Sequence, residues 1–216
     1  MFEKIFPKIH AEGYKFIVIS VIITLILWSI SDFFGFLFTL LTVWVYYFFR
    51  DPERVIIEDE NYLVSPADGI ISSIVEVNGP IELGLENKKF TRVSVFMNVF
   101  NCHVNRSPIA GEIEDIFYKP GKFLNASLDK ASEENERNFF KIKPSQSSDE
   151  IVVVQIAGLV ARRIFTQVEK KQVLSQGQRL GMIRFGSKVD LYYNNKKTLV
   201  KVGQSVISGE SLIASA

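Results

Sequence analysis

Two apolar runs near the N-terminus constrain this chain more than anything else in it. Phe16 to Ile30 is 15 residues and Phe33 to Phe49 is 17, with Ser31-Asp32 between them. As helices, at about 1.5 Å per residue, they reach about 22 and 26 Å, a little short of a hydrocarbon core of about 30 Å. One continuous helix from 16 to 49 would be far too long for a bilayer and would bury Asp32. The runs therefore predict a helical hairpin that either spans twice or sits deep in one leaflet. Lys4, Lys8 and Lys15 precede it and Arg50 and Arg54 follow, whereas its turn carries no positive charge. Both ends are thus expected in the cytoplasm, with the rest of the chain on the cytoplasmic face of the inner membrane. Trp28, Trp44, Tyr46 and Tyr47 suit the interfacial belt. No small-residue cleavage site follows the first run, so the hairpin reads as a retained anchor and not a signal peptide. The competing reading, a buried helical pair in a soluble core, suffers because no comparable apolar length recurs later to pack against it.

From Asp51 onward the texture changes to short runs rich in β-branched and aromatic residues, separated by Gly, Pro and Asn. Ile70–Val77, Phe90–Phe100, Gly111–Tyr118, Ile151–Ala157, Leu180–Phe185, Lys188–Tyr193 and Thr198–Val202 predict strands. The expected fold is mainly β (α+β), a compact sandwich or barrel-like domain over residues 50–216 behind an attachment domain over 1–49. Ser127–Glu136 could be helical, and Lys143–Glu150, with Pro144 and several serines, reads as a loop. Two stretches repeat a pattern, one from Val173 to Leu180 and one from Val202 to Leu212, and both are similar to the turns of small barrel-sandwich carriers such as lipoyl domains. The lysine that such carriers modify has no counterpart in either.

Composition narrows the chemistry. Twenty-five Lys+Arg against 24 Asp+Glu leave no basic excess for a nucleic acid partner. A single cysteine, Cys102, excludes an internal disulfide and a Cys-rich metal site and suits a reducing compartment. Two histidines, His10 and His103, are too few and too far apart to suggest a metal centre, so no metal is expected.

Between the two similar stretches stands Arg184-Phe185-Gly186-Ser187-Lys188. A serine directly after a glycine can turn its hydroxyl on the preceding carbonyl, since glycine has no side chain to block the approach. An N-to-O acyl shift, β-elimination and loss of ammonia would leave a pyruvoyl group at position 187, an electron sink for an amine substrate. Gly-Ser alone is usually a turn.

Further motifs accompany it: Phe48-Phe49-Arg50-Asp51-Pro52-Glu53-Arg54, Ser65-Pro66-Ala67-Asp68-Gly69, Asn98 to Pro108, and Pro120-Gly121-Lys122-Phe123-Leu124-Asn125-Ala126. With these, in this order from about residue 44 to the C-terminus, the chain closely resembles the phosphatidylserine decarboxylases in their short form. The resemblance implies a proenzyme cut between Gly186 and Ser187, Ser187 as pyruvoyl precursor and Schiff-base site, and Asp68 acting with a histidine and Ser187 in self-processing. It implies two chains held together, with a higher oligomer left open, and a phospholipid substrate in the membrane. His103 is expected as general base, oriented by Asp68 and lying on one face with Val93, Val95, Met97, Val99 and Asn101. Longer family members carry a second histidine three residues further on, where this chain has Arg106, so the division of labour between processing and decarboxylation stays open. Arg106, Arg162, Arg163 and, more weakly, Lys122 are candidate contacts for a phosphate or carboxylate, with solvated surface charge the alternative for the last three. Two other functions stay open from the residues alone. One is a non-enzymatic membrane-anchored β module that binds a partner or carries a group, and the other is a decarboxylase of an ether-linked seryl phospholipid.

Overall fold

The computed structural model describes residues 6–122, 134–147, 149–158, 163–184 and 187–215. The chain divides into two compact units, Met1–Glu53 and Arg54–Ala216.

In the first unit, α1 (Tyr14–Ile30) and α2 (Asp32–Phe48) are broken at Ser31, whose extended backbone ends one helix and leads into the next. Their interface is made by small and hydroxylated residues, as helix pairs in lipid require. Thr24 Oγ1 meets Ser20 O and Thr42 Oγ1, both at 2.8 Å, and Trp28 Nε1 donates to Thr39 Oγ1 at 3.1 Å. Gly35 lies against the Trp28 ring, where any side chain would collide. The outward faces are apolar and exposed, from Val18 and Ile22 through Ile26 to Phe36 and Leu40. Ala11–Ile30 is long and apolar enough to cross a membrane.

The second unit is mostly β, as expected. Its strands are β1 (Tyr62–Val64), β2 (Gly69–Asn78), β3 (Lys89–Met97), β4 (Val104–Arg106), β5 (Gly111–Lys119), β6 (Arg137–Pro144), β7 (Ile151–Ala157), β8 (Ile164–Thr166), β9 (Val173–Leu174), β10 (Arg179–Ile183), β11 (Ser187–Tyr193), β12 (Lys197–Thr198), β13 (Ser205–Val206) and β14 (Leu212–Ser215). A curled eight-stranded antiparallel sheet runs β13-β2-β3-β11-β7-β6-β5-β9, and two three-stranded sheets run β1-β14-β12 and β4-β10-β8. The main core lies on the face of the large sheet carrying Val93, Val95, Val153, Val189, Leu191 and Tyr193.

The sheet order reads alike from both edges, and the hydrogen bonds repeat. Val64 N donates to Pro108 O at 3.0 Å, and Arg106 N to Pro66 O at 2.9 Å. Ser65 Oγ bonds Ala67 O, and Ser107 Oγ bonds Ile109 O, each at 2.7 Å. Gly209 N reaches Ser65 O, and Gly177 N reaches Ser107 O, each at 2.8 Å. The two glycines sit at φ 79° and 74°, left-handed turns that explain the two similar stretches noticed in the sequence. Both β2 and β5 are bulged, after Ile71 and Ile113. The unit is therefore a duplication in which one repeat is continuous (β4 to β10) and the other is split (β1–β3, then β11–β14).

Three expectations need correction. The strand expected over Phe90–Phe100 stops at Met97 because Asn98 and Asn101 close a turn, with Asn101 Oδ1 accepting from Asn98 N at 2.9 Å and Asn98 Oδ1 from Phe100 N at 2.8 Å. The alternation toward His103 is thereby broken, and Cys102 and His103 are both buried. Arg137–Pro144 is a strand paired on both sides, so the loop expected from Lys143 begins two residues later. Of Thr198–Val202 only Thr198 is in a strand, the two-residue β12. The helix expected over Ser127–Glu136 lies mostly outside the described residues.

Candidate active site

Ser187 heads β11, one of the two central strands of the large sheet. It pairs with Met97 on β3 and Ala157 on β7. It is fully buried, and its Oγ has no hydrogen-bond partner among the described residues. Such a hydroxyl costs about 1–3 kcal/mol. Directly opposed residues of antiparallel strands share a face. Ser187 thus points with Met97 and Ala157 into the main core, while Lys188, Asp190 and Tyr192 point away. On that outer face Asp190 lies 3.9 Å from Arg92 Nε and 4.0 Å from Lys188 Nζ. Burial, with Asp190 adding to it, pushes the Tyr192 phenol up to about 12, so it stays neutral. The charged groups of β11, Lys188 and Asp190, are therefore kept off the serine's face.

His103 lies just before β4, with its carbonyl accepting from Ile183 N at 3.3 Å, four residues before Ser187 (187 − 183). The ring is fully buried, and Nδ1 is 3.0 Å from Asn101 O. A carbonyl only accepts, so Nδ1 carries the proton and Nε2 is the basic nitrogen of the neutral ring. The turn that breaks the strand is thus what sets the tautomer.

Asp68 does not orient this ring. Its Oδ2 takes Arg54 Nη2 at 2.7 Å and its Oδ1 takes Ser208 N at 2.8 Å. It stands just before β2 at the same end of the sheet as Ser187, with β3 between them. Gly69, next to it, brings the backbone so close to Phe96 O that a Cβ would sit 2.2 Å away. Arg54→Ala and Asp68→Asn should each lower stability by about 2 kcal/mol by breaking this partly buried charged bond, measured by denaturant unfolding. Equal loss from both would place Asp68's contribution in the turn and not on the imidazole.

The arginines separate. Arg106 is buried, with Nη1 on Gly177 O at 3.0 Å, so its guanidinium ties a turn and is not open to a substrate as expected. Arg163 is exposed, and its carbonyl accepts from Arg184 N at 3.2 Å, which brings Arg184 beside it. Lys122 pairs with Glu134 at 2.9 Å on the surface. Gly186 and Arg162 lie outside the described residues. Asn105 and Gln155 are buried on the serine's side of the sheet; Asn105 lies within the Asn98–Pro108 motif but has no role assigned to it there, and Gln155, fifty residues further on, is marked by nothing around it.

The family model described as phosphatidylserine decarboxylase matches residues 41–214, which takes in Asp68, His103 and Ser187. The chain belongs to the phosphatidylserine decarboxylase family. It is 62% identical over 214 residues, 99% of each chain, to a phosphatidylserine decarboxylase proenzyme of Pelagibacter ubique (strain HTCC1062). Proteins of the same description from Ruegeria pomeroyi and Cereibacter sphaeroides are 51% and 50% identical over 215 residues, 99% of this chain and 98% and 92% of theirs. This decarboxylase is accordingly an enzyme, and the binding-module reading falls away.

Proposed function

We propose that this decarboxylase converts phosphatidylserine to phosphatidylethanolamine in phospholipid biosynthesis, using a pyruvoyl group made from its own Ser187 after self-cleavage at Gly186–Ser187. The observation that carries the reading is the serine itself: a buried hydroxyl, without a partner among the described residues, at the head of a central strand and four residues after Ile183, whose N–H bonds the carbonyl of a histidine of set tautomer. A stable turn serine would face water or hold a bond.

The chain's own residues account for the first reaction. Nε2 of His103 takes the Ser187 Oγ proton while Oγ bonds to the carbonyl carbon of residue 186. The C–N bond breaks, and the proton passes to the departing nitrogen. Removal of the Cα proton then expels the carboxylate of residue 186 from Cβ, and water releases ammonia from what remains at position 187. A ketone at that position supplies an electron sink for the substrate amine. Met97 and Ala157, on either side, exclude water there. Arg163 and Arg184, near the start of β11, suit the substrate's phosphate. Asp68 acts through Arg54 and the Ser208 turn, fixing the end of the sheet at which Ser187 lies.

The hairpin of residues 1–49 keeps the enzyme on the cytoplasmic face of the membrane, since a lipid with two acyl chains leaves a bilayer only at great cost. Deleting residues 1–53, which spares Arg54, should release the protein from membranes and leave self-cleavage intact, because Asp68, His103 and Ser187 all belong to the unit Arg54–Ala216. Sedimentation with membranes and intact-mass measurement check both halves of that expectation.

The direct test of the function is the intact mass of purified protein, together with phosphatidylethanolamine formed from phosphatidylserine vesicles. Two polypeptides of 186 and 30 residues (216 − 186), the smaller with a blocked N-terminus, are expected. A single active chain of 216 residues with an intact serine would overturn the mechanism.

A further inference from the structure

Beside Ser187, on the same face of the sheet, a line of buried amides crosses the core. Asn138 Nδ2 donates to Thr166 Oγ1 at 3.0 Å and, more weakly, to Gln155 Oε1 at 3.4 Å. Gln155 Nε2 donates to Asn105 Oδ1 at 2.8 Å. Asn105, Gln155 and Asn138 are all buried. Gln155 pairs with Val189, one step along the sheet from Ser187 and Ala157. Because each amide donates onward to the next, Asn105 is left with its NH₂ turned the other way. There its one acceptor among the described residues is the Met97 sulfur at 3.7 Å, and Met97 is the residue directly opposite Ser187.

A thioether is a weak acceptor. A buried amide N–H spent on one is nearly unsatisfied, which costs about 1–3 kcal/mol, and an apolar residue would avoid that cost. Two under-satisfied polar groups, one donor and one hydroxyl, thus meet at the same end of β3. Buried groups left so are expected where charge appears only transiently. The carbonyl before Ser187 is such a place, since covalent geometry keeps its oxygen within about 3 Å of the serine Cα.

We propose that Asn105, aimed by Gln155, is the donor that stabilises the negative charge developing on that carbonyl oxygen during self-cleavage. This rests on the reading of Ser187 given above. Asn105 is then a catalytic residue of the first reaction and Gln155 a positioning residue. Their separation from the base is chemical: His103 moves a proton, whereas Asn105 keeps its own.

The test is the rate at which freshly made full-length proenzyme becomes two chains, followed by mass, alongside thermal unfolding. Asn105→Leu should slow cleavage by about 10²- to 10³-fold, the usual effect of losing one such donor, with only a modest fall in melting temperature because Gln155 Nε2 loses its acceptor. The dependence of the rate on pH should keep its wild-type shape, because the base is untouched. Gln155→Met should cleave more slowly than wild type by at least about tenfold, through loss of aim alone. Wild-type cleavage rate in folded Asn105→Leu overturns the proposal, as does a pH–rate profile whose shape departs from that of the wild type. Should Asn105→Leu fail to fold, full speed in Gln155→Met overturns it. If the wild type itself is never cut, it is the Ser187 reading that fails.

Discussion

Ser187→Ala is expected to accumulate as one chain of 216 residues and to release no carbon dioxide from phosphatidylserine. No other substitution should have so complete an effect, because it removes the atom that attacks and the group that would be made from it. The fold should tolerate the change well. The hydroxyl is fully buried and bonded to nothing among the described residues, so its loss removes a desolvated polar group and leaves only a small void between Met97 and Ala157. Unfolding free energy should therefore stay within about 1 kcal/mol of the uncleaved wild type, or rise. A folded, uncut and inactive variant identifies Ser187 as the reacting group, whereas activity from an uncut variant would remove the pyruvoyl mechanism altogether.

His103→Ala is expected to slow cleavage by about 10²- to 10⁴-fold, the range for loss of a general base, so proenzyme should persist for hours after synthesis. The tautomer set by Asn101 leaves Nε2 to take the proton, and His103 is the sole histidine after residue 10. Asp68→Asn should be milder, since its carboxylate serves Arg54 and Ser208 and reaches the imidazole only through the backbone. Rapid cleavage in His103→Ala followed by failure to decarboxylate would confine the ring to the second reaction. Arg106, at the place of the second histidine of longer relatives, is held against Gly177 O, so Arg106→Ala should show itself first as a lowered melting temperature.

Much of this arrangement could be read from the residues. Ile151–Ala157 is a strand over its whole expected length because both its faces are buried and it runs apolar almost without interruption. The helix break fell at Ser31 because Ser31-Asp32 is the one polar pair between two apolar runs. What escaped was decided by partners distant in sequence. Arg137–Pro144 carries Arg137, Asn138, Lys141 and Lys143 among its apolar residues, yet Asn138 finds Gln155 at 3.4 Å, and Lys141 finds Glu114 and Glu150 at 3.0 Å each, which makes polar residues acceptable in a strand. The turn at Asn98–Asn101 escaped because apolar alternation runs on to Val99, and only the two asparagine side chains stop it. Asp68 could be singled out by its motif, but the motif does not contain Arg54 or Ser208.

The nesting of one repeat inside the other places the proposed chemistry at a seam. The chain leaves the split repeat after Met97 and rejoins it at Ser187, and the two ends of the inserted repeat meet where Val104 pairs with Met182. His103 stands at the way in and Ser187 at the way out. In the continuous repeat the corresponding junction, from the end of β6 at Pro144 to the start of β7 at Ile151, has no histidine in it. Neither copy of the pattern holds a reactive centre by itself. On the proposed mechanism the centre exists because the two copies interrupt each other, and the bond proposed to be cut is the stitch that closes the interruption. Severing it would leave β11 laced to β3 and β7 along its length, so the shorter piece would stay as a central strand of the larger one.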